Sequence, residues 1–311
     1  MKRVLIIINP NAGRKHANAY FVRIADVFCK AGYEVVVATT AKRGDGTVFA
    51  RERGGEFDLV ACIGGDGTFN EVVEGVLEAN LNIPIGYIPS GTTNDFASSI
   101  GIPKRLVEAA KDIVGGEPLD LDIGSFNNRY FSYVASFGAF TSTSYSVPQD
   151  LKNLLGHTAY ILEGIKDIPS IKPLDLTIRD VQNDRIYDEK YLFGAVCNST
   201  SMGGVLTLKE ELVDMNDGKF EVLLIRAPRN PIELAQITMA LTMGKVDSCP
   251  MMDFFSSSEV EVQATEDIPW TLDGEYQPGA DHILIRNNRG AIRLMVAKGN
   301  RHLLANTRRD R

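Results

Sequence analysis

The first third of the chain alternates short apolar runs with stretches of helical periodicity. Val4 to Ile8 is apolar throughout, the pattern of a parallel strand covered on both faces, and Asn9 to Gly13 reads as the turn after it. Phe21, Ile24, Ala25 and Phe28 recur at helical spacing, with Gly32 placed as the stop. Tyr33 to Ala38, Leu59 to Ile63 and Ile85 to Ile88 read as further strands, the second of these ending at Gly64-Gly65 and the last at Pro89. Thr68 and Glu71 have capping-box spacing, which predicts a helix from near Phe69. Leu106 to Val114 predicts another before Gly115-Gly116. This alternation of strand and helix predicts a parallel, doubly wound sheet.

The pattern changes after about Leu121. Ser125 to Tyr130 reads as a hairpin, with Asn127-Asn128 suited to positive φ. Strand-like runs follow at Leu174 to Ile178, Tyr191 to Cys197, Phe220 to Ile225, Val260 to Gln263, Trp270 to Leu272 and Ile283 to Ile285. A turn is expected at Asn287 to Gly290, then a strand from Ile292 to Val296. Leu151 to Lys166 and Pro231 to Met243 read as helices. The fold expected is an α/β domain over residues 1–122 and a β-rich sandwich domain over 123–299, with the basic tail 300–311 packing back on the first.

Composition narrows the partners. Formal net charge is −7 over 311 residues, which argues against nucleic acid, since neutralising phosphates needs a basic face. Cys29, Cys62, Cys197 and Cys249 show no CxxC or CxxH spacing, so buried free thiols in a reducing cytosol are expected rather than zinc. The apolar run after Lys2-Arg3 stops at Asn9-Pro10, short of the roughly 7–15 residues of a signal h-region. No run approaches the roughly 18 residues of a membrane span. The expected location is cytoplasmic, with transient contact at the inner face of a membrane.

Candidate chemistry sits in three turns. Gly64-Gly65-Asp66-Gly67-Thr68 lies between a strand and a helix. Its glycines permit close backbone approach, and the helix start offers free N–H groups and a favourable dipole to phosphate. Asp66 adds a carboxylate suited to Mg²⁺ through water. Asn9 to Arg14 and Pro89 to Asp95 also follow predicted parallel strands, so all three turns fall at the carboxyl edge, where open α/β sheets bind ligands. There is no GxxxxGK[ST], no HRD or DFG set, no GxSxG and no HExxH. Taken alone, Asp273-Gly274-Glu275 is an ordinary β-turn, and Asp214 to Lys219 a solvated acidic one. Met251-Met252 and Phe254-Phe255 read as core or subunit contact before lipid groove.

On these residues the chain resembles the bacterial soluble diacylglycerol kinase family, related to sphingosine and ceramide kinases. Gly64 to Thr68 with Asn70-Glu71 resembles its nucleotide signature, Pro89 to Asp95 its second motif, Asn9-Pro10 with Gly13 its first, and Leu272 to Glu275 its late catalytic motif. The resemblance implies a nucleotide-binding α/β domain of the type shared with NAD kinases, followed by a β-sandwich. It implies ATP with Mg²⁺ and a membrane lipid as substrates, and leans to a homodimer. Asn9, Pro10, Asn11, Ala12, Gly13, Thr40, Gly64, Gly65, Asp66, Gly67, Thr68, Phe69, Asn70 and Thr92 are implied to line the nucleotide, with Asp66 and Asp95 in the carboxylate network around the phosphates. Glu275 is implied as the catalytic base, with Asp273 beside it, and Asp214, Asp217 and the Lys219 backbone as a structural magnesium loop. The reaction expected is phosphoryl transfer from ATP to the hydroxyl of diacylglycerol, giving phosphatidic acid. Another lipid acceptor such as a sphingoid base, more distantly NAD, or a non-catalytic lipid or nucleotide sensor are the competing readings.

Overall fold

The computed structural model describes residues 1–13, 16–139, 172–202, 206–207, 213–264 and 267–299. The expected helix Leu151 to Lys166 and the tail 300–311 lie outside them. The chain divides into two compact units, Met1–Ile123 with the chain from Arg289 on, and Gly124–Asn288.

In the first unit, β1 (Lys2–Ile8), β2 (Tyr33–Thr39), β3 (Leu59–Gly64) and β4 (Pro84–Pro89) alternate with α1 (His16–Lys30), α2 (Asp45–Arg53), α3 (Asp66–Glu78), α4 (Asp95–Ser99) and α5 (Leu106–Gly115). The four strands pair in parallel in the order β4-β3-β1-β2. Val4, Ile6 and Ile8 alternate with Leu5 and Ile7, and all five are buried, as a strand covered on both faces requires. One face of the sheet packs Ile24 and Phe28 of α1 with Ala109, Ala110 and Ile113 of α5. On α3, Phe69 stacks on Tyr87 of β4 at 4.6 Å and on Phe96 of α4 at 4.8 Å. A Cβ on Gly75 of α3 would collide with the backbone carbonyl of Thr47, so the α2–α3 contact is close enough to require glycine there.

The second unit is antiparallel. After β5 (Glu117–Phe126) come β6 (Arg129–Phe131), β7 (Val134–Gly138), β8 (Leu174–Asp180), β9 (Arg185–Cys197), and the short pair β10 (Ser201–Met202) and β11 (Leu206–Thr207). Then follow β12 (Phe220–Arg226), a helix at Pro231–Met243 capped by Asn230, β13 (Met252–Ser257), β14 (Glu259–Ala264), β15 (Trp270–Leu272), β16 (Glu275–Gln277) and β17 (His282–Val296). The ladder runs β16-β15-β7-β9-β8-β14-β17. Trp270 sits in the core against Phe126 and Phe137.

Three expectations change. Asn287 to Gly290 is no turn: β17 runs through it. The Asn287 amide donates to Ser258 O at 2.9 Å, its side chain to Lys219 O at 2.9 Å, and the Gly290 amide to the buried Asp122 at 2.8 Å. Those partners keep within the strand a segment whose composition favours turning, with Gly290 at φ 58°. The far end of β17 then pairs with β4 in the first unit, Arg293 with Pro84 and Leu294 with Ile85. The second unit therefore ends at Asn288, whereas the sequence division ran to 299. Of the cysteines, Cys62, Cys197 and Cys249 are buried, but Cys29 is exposed. Met252 is buried and Phe255 stacks on Tyr187 at 4.6 Å, which places β13 in the packing of its own unit.

Candidate functional site

β1 and β3 are adjacent, yet the helices that follow them pack on different sets of residues, α1 with α5 and α3 with Tyr87 and Phe96. Where successive crossovers part, the carboxyl ends of adjacent strands leave a crevice. The turns after β1, β3 and β4 meet there. Asn9 donates its amide to Ile63 O at 2.9 Å and its side chain to Thr68 Oγ1 at 3.2 Å, while Asn9 Oδ1 accepts from the Asn11 amide at 2.9 Å. Ser90 N donates to Gly64 O at 2.7 Å. Gly13, at φ 55°, lies against the Ser90 carbonyl with no room for a Cβ, and a Cβ on Gly91 would come within 2.5 Å of the Gly65 Cα. The glycines of the three turns are thus where backbone touches backbone. Thr40 joins through its amide, which donates to Ile8 O at 2.9 Å.

The helix after β3 begins earlier than the capping box predicts. α3 starts at Asp66 behind Gly65, with no side-chain hydrogen bond capping its first turn. Glu71 is used elsewhere, accepting from the Gly44 and Gly46 amides at 2.8 and 3.0 Å and so fixing the start of α2. The amides of Asp66, Gly67 and Thr68 have no carbonyl to bond within the helix; Phe69 is the first that does, donating to Gly65 O at 3.0 Å. Phe69 is therefore a core residue with a spent amide. The open end of α3 carries three N–H groups and the positive end of the dipole, which is phosphate-binding chemistry.

Asp66 stands at that end. Tyr87 donates its hydroxyl to Asp66 Oδ1 at 3.2 Å, and the Asp95 amide donates to Oδ2 at 2.9 Å. Burial pushes the Asp66 carboxyl up to about 6, reinforced by the Asp95 charge and opposed by those hydrogen bonds. Asn94, at φ 53°, accepts from the Gly91 amide and donates to the Gly91 carbonyl, both at 2.9 Å. Thr92 is exposed on the same turn. Tyr87, Asn94 and Glu71 were missed as supporting residues. The Asn94-Asp95 pair, an αL-tolerant residue before a helix, was the one local signal for them.

In the second unit, Asp273 and Gly274 form the two-residue turn between β15 and β16, at φ 50° and 81°, the positive values a type I′ hairpin requires. Asp273 is buried and accepts from three consecutive amides, Ser132 at 2.6 Å, Tyr133 at 2.9 Å and Val134 at 3.0 Å. Glu275 is partly exposed, 3.0 Å from Arg129, whose other nitrogen bonds Gln277 at 2.8 Å. Asp214 and Asp217 each fold back on their own loop, accepting from Asn216 N at 3.2 Å and Lys219 N at 2.8 Å. The buried Glu221 nearby is raised to about 9 by burial, then by the charges of Asp217 and Asp214. Among the described residues, no three His, Cys, Asp or Glu side chains are grouped to hold a metal ion.

The model of the diacylglycerol kinase catalytic domain matches residues 3–126. A diacylglycerol kinase from Bacillus subtilis (strain 168) is 34% identical over 278 residues, 89% of this chain and 90% of its own. One from Staphylococcus epidermidis is 33% identical over 277 residues, 88% and 86% of the two chains. Two Bacillus anthracis crystal structures share the fold, with TM-scores of 0.77 and 0.73 at 21% and 17% identity, each covering 96% of this chain and 96% and 97% of theirs; the second is of a diacylglycerol kinase. The chain is a kinase with an alcohol acceptor. It belongs to the diacylglycerol kinase family.

Proposed function

We propose that the chain transfers the γ-phosphoryl group of ATP to the hydroxyl of diacylglycerol, giving phosphatidic acid, with Mg²⁺ as cofactor, at a membrane surface. The observation that carries this reading is the open start of α3, with three unbonded amides and Asp66 beside them, at the meeting point of three turns. Asp66, Gly67 and Thr68 amides cradle the phosphate tail, and Asn9 with Gly13 and Gly91 keeps the neighbouring turns at backbone distance. The nucleotide's Mg²⁺ supplies charge neutralisation, and Asp66 is the carboxylate suited to face it through water. Glu275 takes the proton as the lipid oxygen bonds to the γ-phosphorus and the bond to ADP breaks. Arg129 orients Glu275, and Asp273, with its oxygens committed to three amides, shapes the hairpin that presents it.

A second magnesium fits the loop at Asp214. Two carboxylates and the Lys219 carbonyl are hard oxygen donors of the right kind, and after burial it is the charges of Asp217 and Asp214 that raise Glu221. Asp214, Asp217 and Lys219 would hold it as a brace of the loop.

The test is a panel assay with labelled ATP against diacylglycerol, a sphingoid base and NAD, run with Glu275→Gln. Label should enter the diacylglycerol product alone. The variant should lose about 10²–10⁴-fold in kcat, the range of general-base help, while binding ATP as the parent does. Transfer to NAD, or full turnover by the variant, removes the reading.

A further inference from the structure

Along β4, Gly86 lies against Ile113 of α5, and Ile88 belongs to the same cluster of side chains. Tyr87, between them, takes the opposite face. Its ring stacks on Phe69 of α3, which stacks in turn on Phe96 of α4. Phenylalanine would fill that space as well and would bury no polar group. A buried hydroxyl needs a partner, so what tyrosine adds here is a donor. Both acceptors within its reach belong to the turns of the crevice, Asp66 Oδ1 at 3.2 Å and Asn94 Oδ1 at 3.4 Å.

That donor differs from the others on Asp66 in what it is attached to. The Asp95 and Phe96 amides, which Asp66 also accepts, both come from α4, a helix of five residues. Tyr87 is fixed in the sheet: it is 1% exposed, clamped by Phe69 and in register with Cys62 of β3. Rotation about the last side-chain bond of an aspartate is broad, so its carboxylate keeps one orientation only when both oxygens are held. The Asp95 amide holds Oδ2 and the Tyr87 hydroxyl holds Oδ1. The second hold is also one that can be released. Asn94 Oδ1 already accepts from the Gly91 amide at 2.9 Å, and a hydroxyl has a single proton to give. When Asp66 turns toward a cation, that proton has Asn94 to go to, and the buried hydroxyl keeps a partner.

We propose that Tyr87 is a positioning residue for phosphoryl transfer, its hydroxyl setting the direction in which Asp66 meets the nucleotide's Mg²⁺. The inference rests on Asp66 facing that cation, as in the proposed function, and adds the residue through which the sheet controls the carboxylate.

Tyr87→Phe keeps the ring and its stack and removes one oxygen. Calorimetry with a non-hydrolysable ATP analogue, in Mg²⁺ or in EDTA, reads the effect without turnover. In Mg²⁺ the variant should bind about tenfold more weakly, the scale of one lost hydrogen bond to a charged group. In EDTA it should bind as the parent does. Asp66→Asn should also weaken the Mg²⁺ complex, and adding Tyr87→Phe to it should weaken it no further, since a residue that acts through another then has nothing to act on. Equal loss in Mg²⁺ and EDTA, or a further tenfold loss in the double variant, would make Tyr87 a structural residue of the turn and overturn the inference. So would a weakened Asp66→Asn beside an unaffected Tyr87→Phe, with the reading of Asp66 left standing. If Asp66→Asn binds the Mg²⁺ complex as tightly as the parent, the reading of Asp66 fails and this inference fails with it.

Discussion

Asp66 and Asp273 are both aspartates beside a glycine, one in each unit, and they are held in different ways. Asp273 gives its two oxygens to three consecutive amides and is buried in a hairpin turn. Asp66 takes the Tyr87 hydroxyl and the Asp95 and Phe96 amides, but its burial outweighs them and the Asp95 charge adds to it, so its carboxyl sits near 6. A carboxylate saturated by backbone is an element of the scaffold. One whose burial outweighs its hydrogen bonds gains from meeting a cation. On the proposed function, Asp273 serves shape and Asp66 the phosphate end, though both belong to glycine motifs of the same appearance in sequence.

Removing Asp273 should break this comparison most visibly. Asp273→Ala leaves three amides without their acceptor, each worth about 1–3 kcal/mol when buried and unsatisfied. Urea denaturation should show a loss of about 3–9 kcal/mol if those costs add. Asp273→Asn keeps one oxygen, enough for the Tyr133 and Val134 amides that share Oδ1, and should lose clearly less. Equal, small losses in both would mean the turn stands without this carboxylate.

Asp66 should show its effect through pH. Its folded value, about 6, lies above the ordinary 3.8, so between these values the folded chain binds more protons than the unfolded one. Its contribution is therefore most favourable at low pH and is lost as pH rises from about 4 through 6, by at most about 3 kcal/mol at 1.36 kcal/mol per unit. Other carboxyl groups titrate nearby, so the informative quantity is the difference from Asp66→Asn. Urea midpoints across pH 4 to 8 should show the parent falling relative to the variant through that window. Parallel curves would show that Asp66 is not perturbed.

The parallel half of the fold was legible because its strands are continuous apolar runs closed by glycine or proline, and the three turns could be placed on one edge before any distance was known. What escaped was whatever depended on partners distant in sequence. Thr68 and Glu71 have the spacing of a local cap, but Thr68 is taken by Asn9 and Glu71 by the start of α2. α2 itself gave no periodic signal, because it buries Gly46, Thr47 and Ala50 rather than large apolar residues. Asn287 to Gly290 has turn chemistry that Lys219, Ser258 and Asp122 overrule. Asp273-Gly274 was legible as a turn and as a motif, but the three amides that claim Asp273 lie about 140 residues away in the chain.

Glu71 gives the smallest and most local test. Its two oxygens bond the Gly44 and Gly46 amides, and no room remains for a Cβ at Gly46, which would fall 2.7 Å from Glu71 Oε2. Glu71→Gln keeps the shape but offers one acceptor in place of two and removes the charge. The change should cost about 1.5–3 kcal/mol, the value of one charge-assisted bond, because the second amide is left to water at a partly buried position. Hydrogen exchange should quicken at Gly44 and Gly46 while the amides of β1 and β3 keep their protection, since those strands are braced by parallel pairing on both sides. If Glu71 instead closes the N-terminus of α3, as its spacing from Thr68 suggests, protection would be lost at the start of α3 and retained at Gly44 and Gly46. The two outcomes place the same carboxylate at the start of α2 or at the start of α3, and only the first leaves the α3 amides open.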